Sequence, residues 1–119
     1  MRVIATRSYD RRAARLLSGA ERALAEATIA ARPEAWPVIP STGGARKARV
    51  ARGGRGKSGG ARVIYFVLTG AGVLYLLDIY AKSAKENLTD AEKRDIRHLI
   101  AAIEAEAEPA GAAPDRLAQ

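Results

Sequence analysis

The middle of the chain carries many positive charges and no carboxylate. Between Ala35 and Leu77 there is no acidic residue, and the basic residues there are Arg46, Lys47, Arg49, Arg52, Arg55, Lys57 and Arg62. Their seven charges equal the formal net charge of +7 of the whole chain. Like charges this close repel one another, and folding gains nothing from the repulsion. The cluster predicts a polyanionic partner, most often a nucleic acid, with a solvated basic loop as the alternative.

Arg62 of this cluster, and a group of three residues further along the chain, are of the types found at phosphate-binding sites. Arg62 opens a predicted strand beside a glycine-rich loop, where a guanidinium at the rim of a sheet can bind a phosphate through two hydrogen bonds. Further along, Asp78, Tyr80 and Lys82 alternate at the end of a strand and therefore share one face. The alternative for these three is cross-strand pairing with the basic strand.

Several other chemistries lack their residues. The chain has no cysteine and one histidine, so a disulfide, a thiolate metal site and a histidine metal cluster are excluded, and no cofactor is expected. His98 lies about 200° from Ile96 on a helix, which predicts an exposed surface histidine. Gly56-Lys57-Ser58 suggests a phosphate-binding loop, but Ala51 stands where that motif needs glycine and a β-prone run follows.

Length and hydropathy predict one small domain. At 119 residues the chain suits a single domain over residues 1–108, followed by a flexible tail over 109–119 that is rich in alanine, glycine and proline. The N-terminus lacks a signal-peptide core, and no stretch approaches the roughly 18 apolar residues of a membrane span. These features predict a soluble cytoplasmic protein without membrane contact.

The first third predicts a short strand and a helical hairpin. Val3-Ile4-Ala5 suits a short strand, and Ser8 is a plausible N-cap for a helix that Gly19 would end. A second helix follows at once and ends before Pro33. The connector from Glu34 to Pro40 contains two prolines, and Trp36 is expected to fix it to the core.

Three strands and a helix are predicted after the connector. The strands are Ala45 to Ala51, Arg62 to Thr69 and Val73 to Tyr80, and a loop with five glycines separates the first two. Thr89 and Glu92 form a capping box that starts the last helix. The predicted fold class is α+β: a small antiparallel β-sheet with the helical hairpin and the C-terminal helix packed on one face. The other face is then free for the basic residues.

Four ordered blocks resemble a known family. IPSTGGARKAR at 39–49, GRGKSGGARVIYF at 54–66, YLLDIYAK at 75–82 and NLT at 87–89 are similar to the RelE/HigB toxins of type II toxin–antitoxin systems, and most similar to the HigB-like branch. The likeness covers roughly residues 36 to 104. Ser41 stands where the family usually has glycine, Ala45 where it has leucine, and Phe66 where it has tyrosine.

The resemblance implies a ribosome-dependent endoribonuclease that cuts mRNA without a metal ion, with the RNA 2′-OH as nucleophile. It implies a catalytic set of Lys57, Arg62, Tyr80 and Lys82, in which either lysine is the base and Tyr80 stacks on a base or donates a proton. Arg62, Arg55 and Arg49 would bind phosphates, and Arg11, Arg12 and Arg15 would help to dock ribosomal RNA. The RNA-binding residues would be Arg46, Lys47, Arg49, Arg52 and Arg55.

The implied partners are the ribosome, mRNA and a cognate antitoxin, a small helix-turn-helix protein. Two alternatives remain open from the residues alone. A basic sheet also suits a non-catalytic RNA- or DNA-binding module, and a basic groove also suits a surface that binds only an acidic or amphipathic protein segment.

Overall fold

A computed structural model describes residues 1–54 and 60–117 of the chain. In this part four strands and three helices form one α+β fold, which confirms the predicted fold class. In chain order the elements are β1 (Arg2–Ala5), α1 (Arg7–Leu16), α2 (Gly19–Ala31), β2 (Arg46–Val50), β3 (Ala61–Leu68), β4 (Val73–Ala81) and α3 (Asp90–Leu117). A short 3-10 turn, Thr69–Ala71, joins β3 to β4.

The sheet is mixed rather than wholly antiparallel. Its strand order is β1-β4-β3-β2, with β4 antiparallel to β3 and β3 antiparallel to β2, as predicted. However, β1 lies parallel to β4. Thr6 fixes this pairing, because its backbone N–H and its hydroxyl donate to the carbonyls of Leu76 and Leu77 at the end of β1. A parallel pair needs a long crossover, and the rest of the chain between β1 and β4 supplies it.

The helices lie on both faces of the sheet, which corrects the expectation that they share one. α1 and α2 bury Tyr9 and Ile29 against one face, and α3 buries Ile96 and Ile100 against the other. The reason lies in β3, where Val63 and Tyr65 enter the first core while Ile64 and Phe66 enter the second. A strand that is apolar on both sides needs cover on both sides. By register, the basic residues Lys47, Arg49 and Arg62 share the second face with α3.

A β-bulge interrupts β4. Tyr65 pairs with Leu76, but Ile64 pairs with Asp78, so Leu77 is an extra residue on β4. Leu74 and Leu76 lie in the first core, and after the bulge Ile79 lies there as well. Tyr75, Leu77 and Tyr80 lie in the second core. The bulge thus shifts the alternation of β4 by one residue.

Capping residues set the helix boundaries, and two of them differ from the prediction. Thr6, not Ser8, caps α1 by accepting a hydrogen bond from the N–H of Tyr9. Gly19 does not end α1 but begins α2, because Ser18 and Glu21 form a capping box there.

At the other end of the chain, the predicted capping box of α3 is confirmed, with Thr89 and Glu92 bonding each other's backbone N–H groups. α3 continues past Pro109 to Leu117, so the helix is longer than predicted. The domain boundary at residue 108 stays a prediction. His98 is exposed on α3, as expected. Among the described residues, no helix is long and apolar enough to cross a membrane.

The connector between α2 and β2 closes the outer edge of the sheet. Trp36 packs against the first core, as predicted, and Val38 forms a β-bridge with Arg46. The connector then turns sharply at Ser41, whose φ of 68° lies in the left-handed region. Thr42 is fully buried in this turn and accepts the N–H of Ala45, which prepares the entry to β2.

Candidate nucleic-acid interface

Three of the candidate residues form one row across the sheet. In the strand register Arg49 of β2 pairs with Arg62 of β3, and Arg62 pairs with Tyr80 of β4. Directly opposite residues on neighbouring strands have Cβ atoms about 5 Å apart on the same face. We call these three residues the cross-strand row. Lys82 follows Tyr80 by two residues, and its backbone N–H donates to the carbonyl of Gly60.

Arg62 lies deeper than the rim position that its place at the start of a strand predicts. Its side chain is 4% exposed, while that of its neighbour Glu86 is 60% exposed. One guanidinium nitrogen donates to the carbonyl of Ala61 at 3.2 Å, and the other lies 3.9 Å from a Glu86 carboxylate oxygen. Burial strengthens the attraction between this guanidinium and an anion that reaches it. The Glu86 side chain is exposed, so its carboxylate can turn into water when another anion reaches Arg62.

Tyr80 is suited to donate a proton. Its side chain lies in the second core, and its hydroxyl donates to the carbonyl of Glu86 at 3.2 Å. Burial raises the pKa of Tyr80 above its usual value, although the charge of Arg62 partly opposes this. The phenol is therefore protonated at neutral pH. Because the Lys85 ammonium lies 4.9 Å from the ring centre and Tyr80 is only 6% exposed, the ring offers no open face on which a base could stack.

Of the two candidate lysines, only Lys82 lies among the described residues. Lys82 is half-buried just beyond the end of β4. Lys57 and Arg55 lie outside the described residues. Asp78, which shares the face of Tyr80 by register, binds the Arg12 guanidinium at 2.7 Å. The alternative, in which Asp78 pairs with the basic strand, does not hold, because Arg12 of α1 is its partner.

The predicted RNA-binding cations divide into two groups. Arg46 donates to the carbonyls of Glu34 and Trp36, and Arg52 donates to the carbonyl of Leu16 at the end of α1. Both of these arginines hold the backbone of another segment. In contrast, Lys47 and Arg49 lie on β2 at positions that share the face of Arg62 by register.

The side chains of Lys47 and Arg49 each contact one other side chain. The Lys47 ammonium donates to the Asn87 amide oxygen at 2.9 Å, and the Arg49 guanidinium lies 5.5 Å from the Trp36 ring centre. Lys47 and Arg49 are therefore the members of the predicted RNA-binding set that stand next to the catalytic candidates.

Sequence reasoning missed the loop between β4 and α3. Glu86 contacts both Arg62 and Tyr80, and Asn87 holds Lys47, so two successive residues of this loop touch three of the candidate residues. One signal was available, because the loop directly follows the strand that carries Tyr80. Its contacts depend on how it folds back over the sheet, which no local pattern gives. The described residues contain no group of three or more acidic, cysteine or histidine side chains that could hold a metal ion.

The arrangement combines anion-binding and proton-donating groups on one sheet face. Arg49 and Arg62 carry positive charge, Tyr80 carries a hydroxyl that can donate a proton, and Lys82 follows Tyr80 by two residues. The family model described as the RelE toxin of the RelE / RelB toxin-antitoxin system matches residues 1–110, which is most of the chain. The match includes all four strands and the whole of the cross-strand row. The chain therefore belongs to the RelE family of toxins from toxin–antitoxin systems.

Proposed function

We propose that this toxin is an endoribonuclease that cuts mRNA on the ribosome and so stops translation. The observation that carries the proposal is the cross-strand row, in which strand register aligns two arginines with a tyrosine that is protonated at neutral pH, in a RelE-family chain. The HigB-like branch is the part of the family to which we assign it. RNA supplies its own nucleophile, so the protein has only to move two protons and stabilise charge.

In the proposed reaction the RNA 2′-oxygen attacks the adjacent phosphorus. The bond from the 2′-oxygen to phosphorus forms as the bond to the 5′-oxygen breaks, which leaves a 2′,3′-cyclic phosphate and a 5′-hydroxyl. A base takes the 2′-OH proton, and we assign this role to Lys82 or Lys57. Tyr80 gives its proton to the leaving 5′-oxygen. The guanidinium groups of Arg62 and Arg49 stabilise the negative charge on the phosphoryl oxygens in the transition state.

Glu86 has a role at the start of this reaction, when RNA binds. Its carboxylate lies 3.9 Å from the Arg62 guanidinium, and its side chain is mostly exposed. A phosphate takes its place on the guanidinium, so RNA binding exchanges one anion for another. The Tyr80 hydroxyl is bonded to the backbone carbonyl of Glu86, and it must leave that carbonyl to give its proton to the leaving group.

The partners follow from the family and from this reaction. The family is defined by toxin–antitoxin pairs, so an antitoxin partner is expected, and we propose a small helix-turn-helix protein in the cytoplasm. The ribosome and mRNA are the other proposed partners. Arg11 and Arg15 are exposed on α1 and can contact ribosomal RNA, whereas Arg12 is engaged by Asp78.

The experiment is induced expression of the chain without its antitoxin, followed by mapping of transcript 5′ ends on ribosomes. We expect arrested growth and new 5′ ends within translated regions. Arg62→Ala should lower cleavage by 10²-fold or more, because a charge contact of the transition state is lost. Arg94→Ala, at an exposed position on α3, is the matched control and should cut normally.

A second candidate function, a non-catalytic RNA-binding module, is favoured by the burial of Arg62 and Tyr80. The same experiment separates the two. Soluble protein that binds ribosomes but leaves all transcript ends unchanged would refute the nuclease and support the binding module. Arg62→Lys guards against a folding failure of Arg62→Ala, since it keeps the buried charge and loses only the two-pronged geometry.

A further inference from the structure

A pocket of about 350 Å³ opens beside the cross-strand row. Part of its wall is apolar, formed by Ile39, Pro40 and Leu88. The other part is lined by the polar residues Lys47, Asn87 and Lys93. Its size is at the lower end of the range for small-molecule sites, about 300–1,000 Å³, and suits a single nucleotide better than a longer segment.

The pocket is continuous with the candidate site. Lys47 lies on β2 two residues from Arg49, on the same face of the sheet. On the opposite wall Asn87 directly follows Glu86, the residue that contacts Arg62 and Tyr80. The pocket therefore shares Lys47 and the loop of Glu86 and Asn87 with the surroundings of Arg62.

Backbone hydrogen bonds hold the pocket walls in place. The connector is bound to β2 by the Ile39 N–H, which donates to the carbonyl of Ala45 at 2.7 Å, and by the Lys47 N–H, which donates to the carbonyl of Pro37. Leu88 is only 7% exposed and immediately precedes the capping residue of α3. A site that is formed before the ligand arrives costs little ordering on binding.

The lining chemistry selects the occupant. Among the described residues that line the pocket there are two cations and no carboxylate, which favours an anion. The apolar wall favours a flat, weakly polar body. Because the Asn87 oxygen accepts from Lys47, its NH₂ group is the end that faces away from Lys47 and can donate to a base edge. A nucleotide combines all three features: a planar base, polar base edges and a phosphate.

We propose that this pocket is a nucleotide subsite, which seats the base of the mRNA nucleotide next to the one cut at the cross-strand row. Ile39, Pro40 and Leu88 contact the base, Asn87 donates to its edge, and Lys47 and Lys93 bind its phosphate. The proposal rests on the proposed function, and it names a part of the surface that contributes binding rather than bond breaking.

The test measures binding without cleavage. The ¹⁵N-labelled full-length chain is titrated with each of the four nucleoside 5′-monophosphates and separately with inorganic phosphate, and backbone amide shifts are followed by NMR. We expect nucleotides, but not phosphate alone, to shift the amides of Val38, Ile39 and Leu88. Lys47→Ala should weaken binding about tenfold, as loss of a charge-assisted contact does. Arg94→Ala should bind like the wild type.

Other results overturn the proposal. Equal shifts with inorganic phosphate would show an anion site without a base, and shifts spread over the whole basic surface would show unselective attraction. The two proposals fail differently. A wild-type chain that shifts these amides but does not cut ribosomal mRNA would refute the nuclease alone. A chain that cuts mRNA while these amides ignore all four nucleotides would refute the subsite alone.

Discussion

Replacement of Tyr80 by phenylalanine separates the contribution of its hydroxyl to the cleavage rate from its contribution to stability. The change removes the hydroxyl and keeps the ring in the second core. The lost hydrogen bond, 3.2 Å to the carbonyl of Glu86, contributes at the low end of the usual range, about 0.5–1 kcal/mol, because Glu86 is exposed and water replaces the donor. For a domain of this size, that amounts to a fall in Tm of roughly 2–4 °C.

The expected loss of activity is much larger than that loss of stability. A general acid contributes about 10²–10⁴-fold in rate, which corresponds to roughly 3–5 kcal/mol of activation free energy. We therefore expect Tyr80→Phe to remain folded and to cut mRNA at least 10²-fold more slowly. The assay is single-turnover cleavage on programmed ribosomes with enzyme in excess, alongside thermal unfolding of the same preparation.

A second tyrosine provides the control. Tyr75 is half-buried on β4, packs against Phe66, and lies outside the cross-strand row. Tyr75→Phe should cut within a few-fold of the wild-type rate. If Tyr80→Phe also cuts within threefold of wild type, the hydroxyl gives no proton to the leaving group, and the assignment of Tyr80 as the acid is refuted.

Three further predictions concern other residues. If Lys82 is the base, Lys82→Arg, which stays protonated, should abolish single-turnover cleavage while ribosome binding stays near wild type; retained cleavage would leave Lys82 as a phosphate ligand. Ser41→Gly should raise the free energy of unfolding by about 0.5–1 kcal/mol, because glycine relieves the φ of 68° at some cost in unfolded-state entropy. Denaturant unfolding checks this, and the exposed Ser83→Gly should give no such gain. The hydrogen bond from Lys85 holds the pKa of Glu92 below its usual value of 4.5. The resulting stability is present above that pH and lost as pH falls below it, so unfolding measured from pH 5 to 3 should show a shallower decline in Glu92→Gln than in wild type.

Much of the fold could be predicted from patterns within short segments of the sequence. β3 and β4 were predicted within one residue of their observed bounds, since each is a long run of β-branched and apolar residues. The capping box at Thr89 was predicted because both of its partners lie within four residues. The start of α1 was missed, because Thr6 and Ser8 are equal candidates locally. What decides between them is the bond of Thr6 to Leu77, 71 residues away.

The candidate site was predictable as a list of residue types but not as an arrangement. The cross-strand row depends on the register of three strands, and the burial of Arg62 depends on what packs over it. Asp78 found its partner in Arg12, 66 positions earlier in the chain. Such contacts between distant segments are set by packing, so a single sequence carries no direct record of them.

The bulge in β4 acts on the sheet as an inserted base acts on a reading frame. Upstream of Leu77, even-numbered residues of β4 enter the first core; downstream, odd-numbered ones do. If β4 paired with β3 without this bulge and at the same length, Tyr80 and every later side chain would turn to the opposite face. The protein would keep its composition and its strand, yet the phenol would lie on the far side of the sheet from Arg62. Deletion of the extra residue would instead restore regular alternation and leave Tyr80 on its present face, so relatives of this chain should keep the bulge and the extra residue together or lack both.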